Sequence, residues 1–197
     1  MGSKNLKAAA VRGRGAVRMA RRKEFLQAVD DTRKAIFSSP FYGSFCRFGT
    51  MLASLPYQEF GALPGRNYQR GAIDGWVETR SRKVLPRYST RGVACMACPI
   101  ACAHWVEVKE GPYASLRLKD LEVTPVIGFG AGCDINNLPA IAMLTETCQR
   151  LGMDMVSAAA VVAFAMELYE KGLIGEKDLG FPLTGGDERA TTSLLDM

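Results

Sequence analysis

The sequence predicts a mainly α domain, and three segments with helical periodicity support this prediction. Apolar residues recur near helical spacing over residues 21–38, 138–151 and about 156–171. The chain has 197 residues, of which 48% are hydrophobic and 23% charged, a composition that is ordinary for a globular protein with a buried core. We therefore expect one domain, or one domain and part of a second.

Before the second of these helices the sequence predicts mostly short elements. Residues 6–11 are typical of a short strand or the end of one, and Pro40 ends the first helix. Glycine, proline and aromatic residues are frequent over residues 41–88, which favours short helical pieces. Within that segment, the glycine and proline positions of residues 61–67 predict an ordered loop. Residues 116–133 mix strand-like and glycine-rich sequence, and no element is assigned to them.

Two helices with different burial expectations follow. Asn137 is the predicted N-cap of the first, Pro139 lies in its first turn, and Gly152 ends it. Its apolar stripe consists of Leu138, Ile141, Leu144, Cys148 and Leu151. The second helix ends at Gly172, and its centre, residues 158–166, is apolar all round. Such a centre predicts burial on several sides.

Charge and hydropathy argue against several classes of protein. The longest apolar run is half a membrane span, so we expect no transmembrane helix and no membrane partner. The N-terminus lacks the apolar stretch of a secretory signal, and six cysteines, three of them clustered, favour the reducing cytoplasm. The net charge is +5, but eight basic residues precede the first acid, Glu24. No aromatic residue interrupts this basic arm, so we expect no nucleic-acid partner.

The motif with the clearest chemistry is Cys95-x2-Cys98-x3-Cys102. Thiolates gathered within eight residues are soft metal ligands. Zinc usually needs a fourth cysteine or histidine nearby, commonly in a second pair, and no such pair follows. Three clustered cysteines with a distant fourth are a common way to hold a [4Fe–4S] cluster. The spacing therefore favours iron–sulfur over two alternatives, a zinc site and unligated thiols.

The other thiols and the single histidine are predicted to be structural. Cys46, Cys133 and Cys148 stand alone, as expected of buried core thiols. Cys133 also follows two glycines that permit close backbone approach to a cofactor. His104 is two residues beyond Cys102, too short a tether for a fourth ligand, so we expect a satisfied surface or core histidine.

Six motifs in a fixed order resemble one family. They are Met-Gly-Ser-Lys-Asn-Leu-Lys at 1–7, Ala-Leu-Pro-Gly-Arg-Asn at 62–67, the three cysteines, Gly111-Pro112, Leu-Gly-Met-Asp at 151–154, and Val156-Ser157. Together they resemble the tungsten-dependent aldehyde:ferredoxin oxidoreductase family. The resemblance implies that residues 1–12 end an N-terminal β-rich domain that cradles a tungsten bis-pterin. Residues 13–197 would be the central helical domain, truncated before a third domain that supplies the fourth cluster cysteine and a second pterin loop.

The same resemblance assigns ligand roles residue by residue. Cys95, Cys98 and Cys102 map onto the clustered [4Fe–4S] ligands. The first pterin-binding loop maps onto residues 149–154, where Gly152 and Asp154 match, Gln149 replaces an acid and Met153 replaces leucine. These four residues are the expected pterin contacts. The structural alternative is that Gly152 only ends a helix and Asp154 only caps the next one, and the two roles are compatible.

The family also implies an acid–base group and, in some members, an interface iron. Glu122 is the candidate glutamate near the metal, although a gapless alignment places Thr124 at that position, and a surface carboxylate is the alternative. The Glu-x-x-His motif that binds a mononuclear iron between subunits is replaced here by Met-Leu-Thr-Glu at 143–146. We therefore expect no such iron, and any homodimer to form without it.

The implied activity is that of a tungsten or molybdenum pterin oxidoreductase, of which this chain would be a fragment. It would oxidise an aldehyde, with water, to a carboxylic acid and pass electrons through a [4Fe–4S] cluster to ferredoxin or an electron-transfer subunit. The alternative is a non-catalytic iron–sulfur electron-transfer or scaffold subunit without pterin, which Gln149 favours. The isolated 197-residue chain is expected not to turn over aldehydes.

Overall fold

The computed structural model describes residues 4–76, 84–119 and 121–197, and it divides into two units, residues 1–39 and 40–197. The first unit contains one long helix, α1 (Arg22–Ser38), close to the predicted bounds. The strand predicted at residues 6–11 is wrong: these residues are exposed and pair with no described segment, and Val11 is 96% exposed. An isolated strand has no partner for its backbone N–H and C=O groups, which hydrogen-bond to water instead. The first three residues of the motif at 1–7 lie outside the described residues.

The second unit begins with the short helical pieces that its composition predicts. They are α2 (Tyr42–Phe48), a 3₁₀ helix (Gly49–Ala53), α3 (Ser54–Glu59), one turn (Gly65–Tyr68) and α4 (Leu85–Tyr88). The predicted loop at 61–67 is ordered by backbone bonds. Leu63 N–H donates to the Gly71 carbonyl, and Gly65 and Arg70 exchange two bonds, all of 2.9 Å.

Three antiparallel strands form a small sheet in the order β1 (Ser89–Val93), β2 (Ala103–Glu107), β3 (Arg117–Lys119). Val106 pairs with Leu118, and both are buried, so one face of the sheet covers the core. Val93 pairs with Ala103 at the end of the first hairpin. The loop that this pair closes, residues 94–102, contains all three clustered cysteines.

The rest of the unit is helical, which confirms the mainly α fold. A short helix, α5 (Val123–Pro125), continues as a π-helix (Val126–Gly132), and α6 (Leu138–Leu151), α7 (Met155–Glu170), α8 (Glu176–Leu179) and α9 (Glu188–Leu195) follow. Phe129, Ile141 and Leu144 are fully buried where the π-helix meets α6. Gly152, with φ 71°, ends α6 as predicted, and the two long helices bend by 117° there.

The expected burial of α7 on several sides is wrong. Ala159, Val162 and Met166 are buried, whereas Val161 is 64% and Phe164 53% exposed. In the described part of the chain, the residues that pack on α7 lie against one face. They therefore cover only part of its apolar surface. Among described residues, no single helix is long and apolar enough to cross a membrane. Only the bent pair of α6 and α7 meets that test together, by length and composition.

Candidate functional site

The cysteine loop closes the β1–β2 hairpin and places all three thiols together on one short segment. Cys95 is exposed, whereas Cys98 and Cys102 are half-buried, and all three are thiols rather than disulfide sulfurs. The paired strand ends fix both ends of the loop. The structure therefore presents three soft donors at the edge of the fold.

The i, i+4 spacing of Cys98 and Cys102 predicts a helical turn with both sulfurs on one face. This prediction is wrong, because the loop is not helical. Pro99 has no N–H to donate and disfavours helical geometry at the residue before it. Ala97, with φ 57°, and Ala101, with φ 52°, take the left-handed conformation instead. The Cys98 N–H donates to the Cys95 carbonyl at 3.1 Å, which makes the first part of the loop a tight turn.

The three thiols are the type of donor that an iron–sulfur cluster needs, but their side chains are not arranged around a common metal position. Over residues 4–76, 84–119 and 121–197, no three His, Cys, Asp or Glu side chains are arranged to hold a metal ion. Metal sites are often organised by the metal itself, because the binding energy is coupled to local folding. Three thiols at this spacing would supply three of the four cysteine ligands of a [4Fe–4S] centre, and their convergence would accompany binding.

Helix α2 lies against the cysteine loop. The Tyr42 hydroxyl donates to the Pro99 carbonyl at 3.2 Å, and a hydrogen bond with the neighbouring Cys46 thiol raises the pKa of that hydroxyl. Cys46 is half-buried, so its predicted place in the core is wrong; it stands beside the loop. His104 is buried against Gly49, as expected of a core histidine.

The remaining two thiols are buried as predicted. Cys133 and Cys148 are almost inaccessible, and Cys133 contacts the Ala159 carbonyl at 3.6 Å. Burial raises the pKa of the Cys133 thiol to about 12. Burial also raises the pKa of Cys148. Both side chains therefore serve as small apolar groups in the core.

The predicted pterin-contacting residues meet at the exposed corner between α6 and α7. Asp154 caps α7: its Oδ2 accepts from the Ser157 N–H at 2.8 Å and from the Ser157 hydroxyl at 2.6 Å, and these bonds lower its pKa. Gly152 ends α6, while Gln149 and Met153 are exposed beside it. The helix-end roles of Gly152 and Asp154 are thus confirmed, and the corner presents polar groups outward.

An apolar pocket of about 280 Å³ lies beside this corner, and sequence reasoning missed it. Its walls come from the π-helix, α7 and the loop around residues 62–68. The lining includes Tyr57, Tyr68, Thr124, Ile127, Val156 and Ala160. The glycines of the π-helix and the alanines of α7 are the signal that indicates it, because small residues leave space between neighbouring helices.

Glu122 is not among the residues that line this pocket. It is exposed and directly precedes α5, whose Val123 and Thr124 line the pocket. The Thr50 hydroxyl accepts the Val123 N–H at 3.0 Å and fixes this helix start. Glu122 is therefore next in sequence to a residue that lines the pocket and whose N–H is fixed by this hydrogen bond.

The opposite wall depends on an unusual turn. Arg66, Asn67 and Tyr68 all have positive φ, a conformation that costs L-residues about 1–2 kcal/mol each. Two side-chain bonds hold it: Arg66 Nε donates to Asp134 Oδ2 at 2.9 Å, and the Asn67 amide donates to Glu167 on α7. Tyr68 is left 79% exposed at the pocket.

Comparison with known proteins identifies the family. Residues 27–197 match the family model described as aldehyde ferredoxin oxidoreductase, domains 2 & 3. The chain is 34% identical over 186 residues to the tungsten-containing aldehyde ferredoxin oxidoreductase of Pyrococcus furiosus, a match that covers 91% of this chain and 29% of that protein. It is 29% identical to the aliphatic sulfonate oxidoreductase, WOR-like subunit, of the same organism, covering 100% of this chain and 31% of that one.

A solved structure is also similar. The active site complex BamBC of benzoyl coenzyme A reductase, in complex with 1,5-dienoyl-CoA, aligns with a TM-score of 0.50 and 26% identity, over 63% of this chain and 18% of that one. The chain thus spans less than a third of the length of these relatives. The resemblance noted in the motifs is confirmed: this chain belongs to the aldehyde ferredoxin oxidoreductase family and matches its domains 2 and 3.

Proposed function

We propose that this chain is part of a tungsten- or molybdenum–pterin oxidoreductase that oxidises aldehydes and passes the electrons to ferredoxin or an electron-transfer subunit. The observation that supports it is the three-cysteine loop in a chain of this family. An aldehyde and one water would give a carboxylic acid, two protons and two electrons. When bound, the metal–pterin supplies the two-electron chemistry and a [4Fe–4S] cluster the single-electron transfer.

The cysteines would act as cluster ligands near the surface. The cluster would be bound by three thiols, those of Cys95, Cys98 and Cys102. They must lose their protons to bind as thiolates. Cys95 is exposed, so one edge of the loop is open to an electron-accepting protein. An electron relay needs a cluster site that the protein supports on its inner side and leaves accessible on its outer side.

The pocket and the helix corner would serve the other half of the reaction. The apolar pocket would hold the hydrocarbon part of an aldehyde and exclude water from it. Glu122 would exchange a proton at its carboxylate, and a Glu122→Gln change should lower kcat by about 10²–10⁴-fold in any form of the protein that oxidises aldehydes. Gln149, Gly152, Met153 and Asp154 would hold the pterin through the exposed corner.

Elemental analysis of anaerobically purified protein tests the proposal. We expect about four irons and four sulfides per chain. Cys98→Ala should lose them, and Cys148→Ala, which alters a buried core thiol, should keep them. Zinc without sulfide would refute the redox function and indicate a structural metal site.

A second assay separates the enzyme from the alternative without pterin. Gln149 in place of the family's acid favours that alternative, a non-catalytic iron–sulfur electron-transfer or scaffold subunit. Release of a fluorescent oxidised pterin from the purified protein would favour the enzyme. Iron and sulfide without any pterin, in protein purified together with the β-rich domain that the resemblance implies, would favour the electron-transfer subunit.

A further inference from the structure

The cysteine loop is held by contacts from outside it as well as by bonds of its own. Its strand ends pair at Val93 and Ala103, and inside it the Cys98 N–H bonds the Cys95 carbonyl. Two alanines, Ala97 and Ala101, are in the left-handed region, which is unfavourable for L-residues. A loop in this conformation persists only where its surroundings fix it.

The first external contact is made by Tyr42 at the start of α2. Its hydroxyl donates to the carbonyl of Pro99, a residue 57 positions away in sequence and located between Cys98 and Cys102. Pro99 has no N–H, so its carbonyl is the one backbone hydrogen-bonding group it offers. Tyr42 therefore fixes the backbone between the second and third cysteines.

The second external contact is made by Gly49 at the end of the same helix. Gly49 has φ 58°, and a Cβ at this position would collide with the carbonyl oxygen of Cys102. The backbone of α2 thus meets the backbone of the third cysteine so closely that only glycine fits. Tyr42 is the first residue of this seven-residue helix and Gly49 directly follows its last, so the two contacts hold the loop at two points.

The same segment also reaches the pocket. Thr50, the next residue, accepts the Val123 N–H at 3.0 Å, and Val123 lines the pocket. The segment Tyr42–Thr50 is therefore in contact with the cysteine loop at one side and with the pocket wall at the other.

We propose that α2 positions the cysteine loop for its cluster, with Tyr42 as the positioning residue through its bond to the Pro99 carbonyl. This inference rests on the proposed function, since it requires that the loop bind a cluster. Tyr42 would not be a ligand; it would set the backbone around Cys98 and Cys102, and with it the polarity and solvent access of the sulfurs that tune a cluster's potential.

The test is Tyr42→Phe, which removes the hydroxyl and keeps the ring. Tyr169→Phe is the matched control, because its hydroxyl bonds Glu176 at 3.4 Å, away from the loop. We expect Tyr42→Phe to retain the cluster but to lose iron to a chelator about two- to tenfold faster, the factor that one net hydrogen bond provides. Its reduced cluster should also show a shifted midpoint potential and electron paramagnetic resonance spectrum, with an unfolding transition like that of the control.

The outcomes are distinguishable. A wild-type chain without iron and sulfide would remove the proposed function itself. A loaded wild type with an unchanged rate of iron loss, potential and spectrum in Tyr42→Phe would overturn the positioning role alone. Cys46→Ala should keep the cluster, because the Tyr42–Pro99 bond does not require the thiol. If instead Cys46→Ala lost the cluster as Cys98→Ala does, Cys46 would be a ligand and the proposal would be wrong.

Discussion

A single methyl group added to the π-helix tests how tightly it packs on α7. Gly128 lies opposite Ala159, and a Cβ built on Gly128 would be 2.7 Å from the Ala159 Cβ. Carbon atoms in contact normally lie about 3.5–4.0 Å apart, so the two helices would have to separate by about 1 Å. Both Cβ atoms are attached directly to the backbone, so no flexible side chain can move aside to relieve the overlap.

The magnitude follows from two opposing terms. Overpacking of this kind costs about 1–3 kcal/mol. Replacing glycine by alanine within a helix returns about 0.5–1 kcal/mol of backbone entropy. We therefore expect Gly128→Ala to lower the free energy of unfolding by about 1–2 kcal/mol, or roughly 2–8 °C in Tm for a chain of this size.

Gly132→Ala is the matched control on the same helix. Its Cβ would lie 3.7 Å from the Ala163 Cβ and 3.8 Å from the Pro64 carbonyl oxygen, which are ordinary contacts. It should be neutral or gain up to about 1 kcal/mol. Urea denaturation of both variants, followed by circular dichroism, measures the difference. Equal changes in the two variants, or a stabilised Gly128→Ala, would refute the packing of the π-helix against α7.

Three further predictions concern titration and reactivity. Asp154→Ala should lower Tm at pH 6, and this deficit should shrink as the pH falls below 3.8, because the depressed pKa means that the cap stabilises the fold only while ionised. Burial and a bond to Glu188 raise the pKa of Tyr113 to about 12, so stability should fall more steeply between pH 10 and 12 in the wild type than in Tyr113→Phe. Iodoacetamide at pH 8 should label exposed Cys95 and spare Cys133, as mass spectrometry of the peptides would show.

Helix ends and the cysteine motif were predictable because their causes are local. Gly152 ends one helix through its backbone geometry. Asp154 caps the next, because its carboxylate accepts a hydrogen bond from the N–H three residues later. Pro40 likewise limits α1. The type and spacing of the thiols can be read directly from eight consecutive residues. None of these features requires knowledge of a distant segment.

The pocket and the loop's conformation were not predictable, because distant residues determine them. Residues 116–133 carry no clear period, and only packing on α6 and α7 makes their second half a π-helix. The left-handed turn at Arg66 is stabilised by Asp134, 68 residues away. The spacing of Cys98 and Cys102 fits a helical turn, and Pro99 between them, held by Tyr42, produces another structure. Such contacts override local propensity.

The burial of α7 shows a further limit of composition. An all-apolar centre indicates how much surface a helix is able to bury, whereas the observed burial depends on which segments pack against it. Ala159 and Ala163 are buried because the π-helix presents glycines to them, and Val161 and Phe164 remain exposed because no described segment lies over them. The small residues thus have a specific role that hydropathy does not reveal. They let two helices approach closely on one side and leave room for the pocket at their edge.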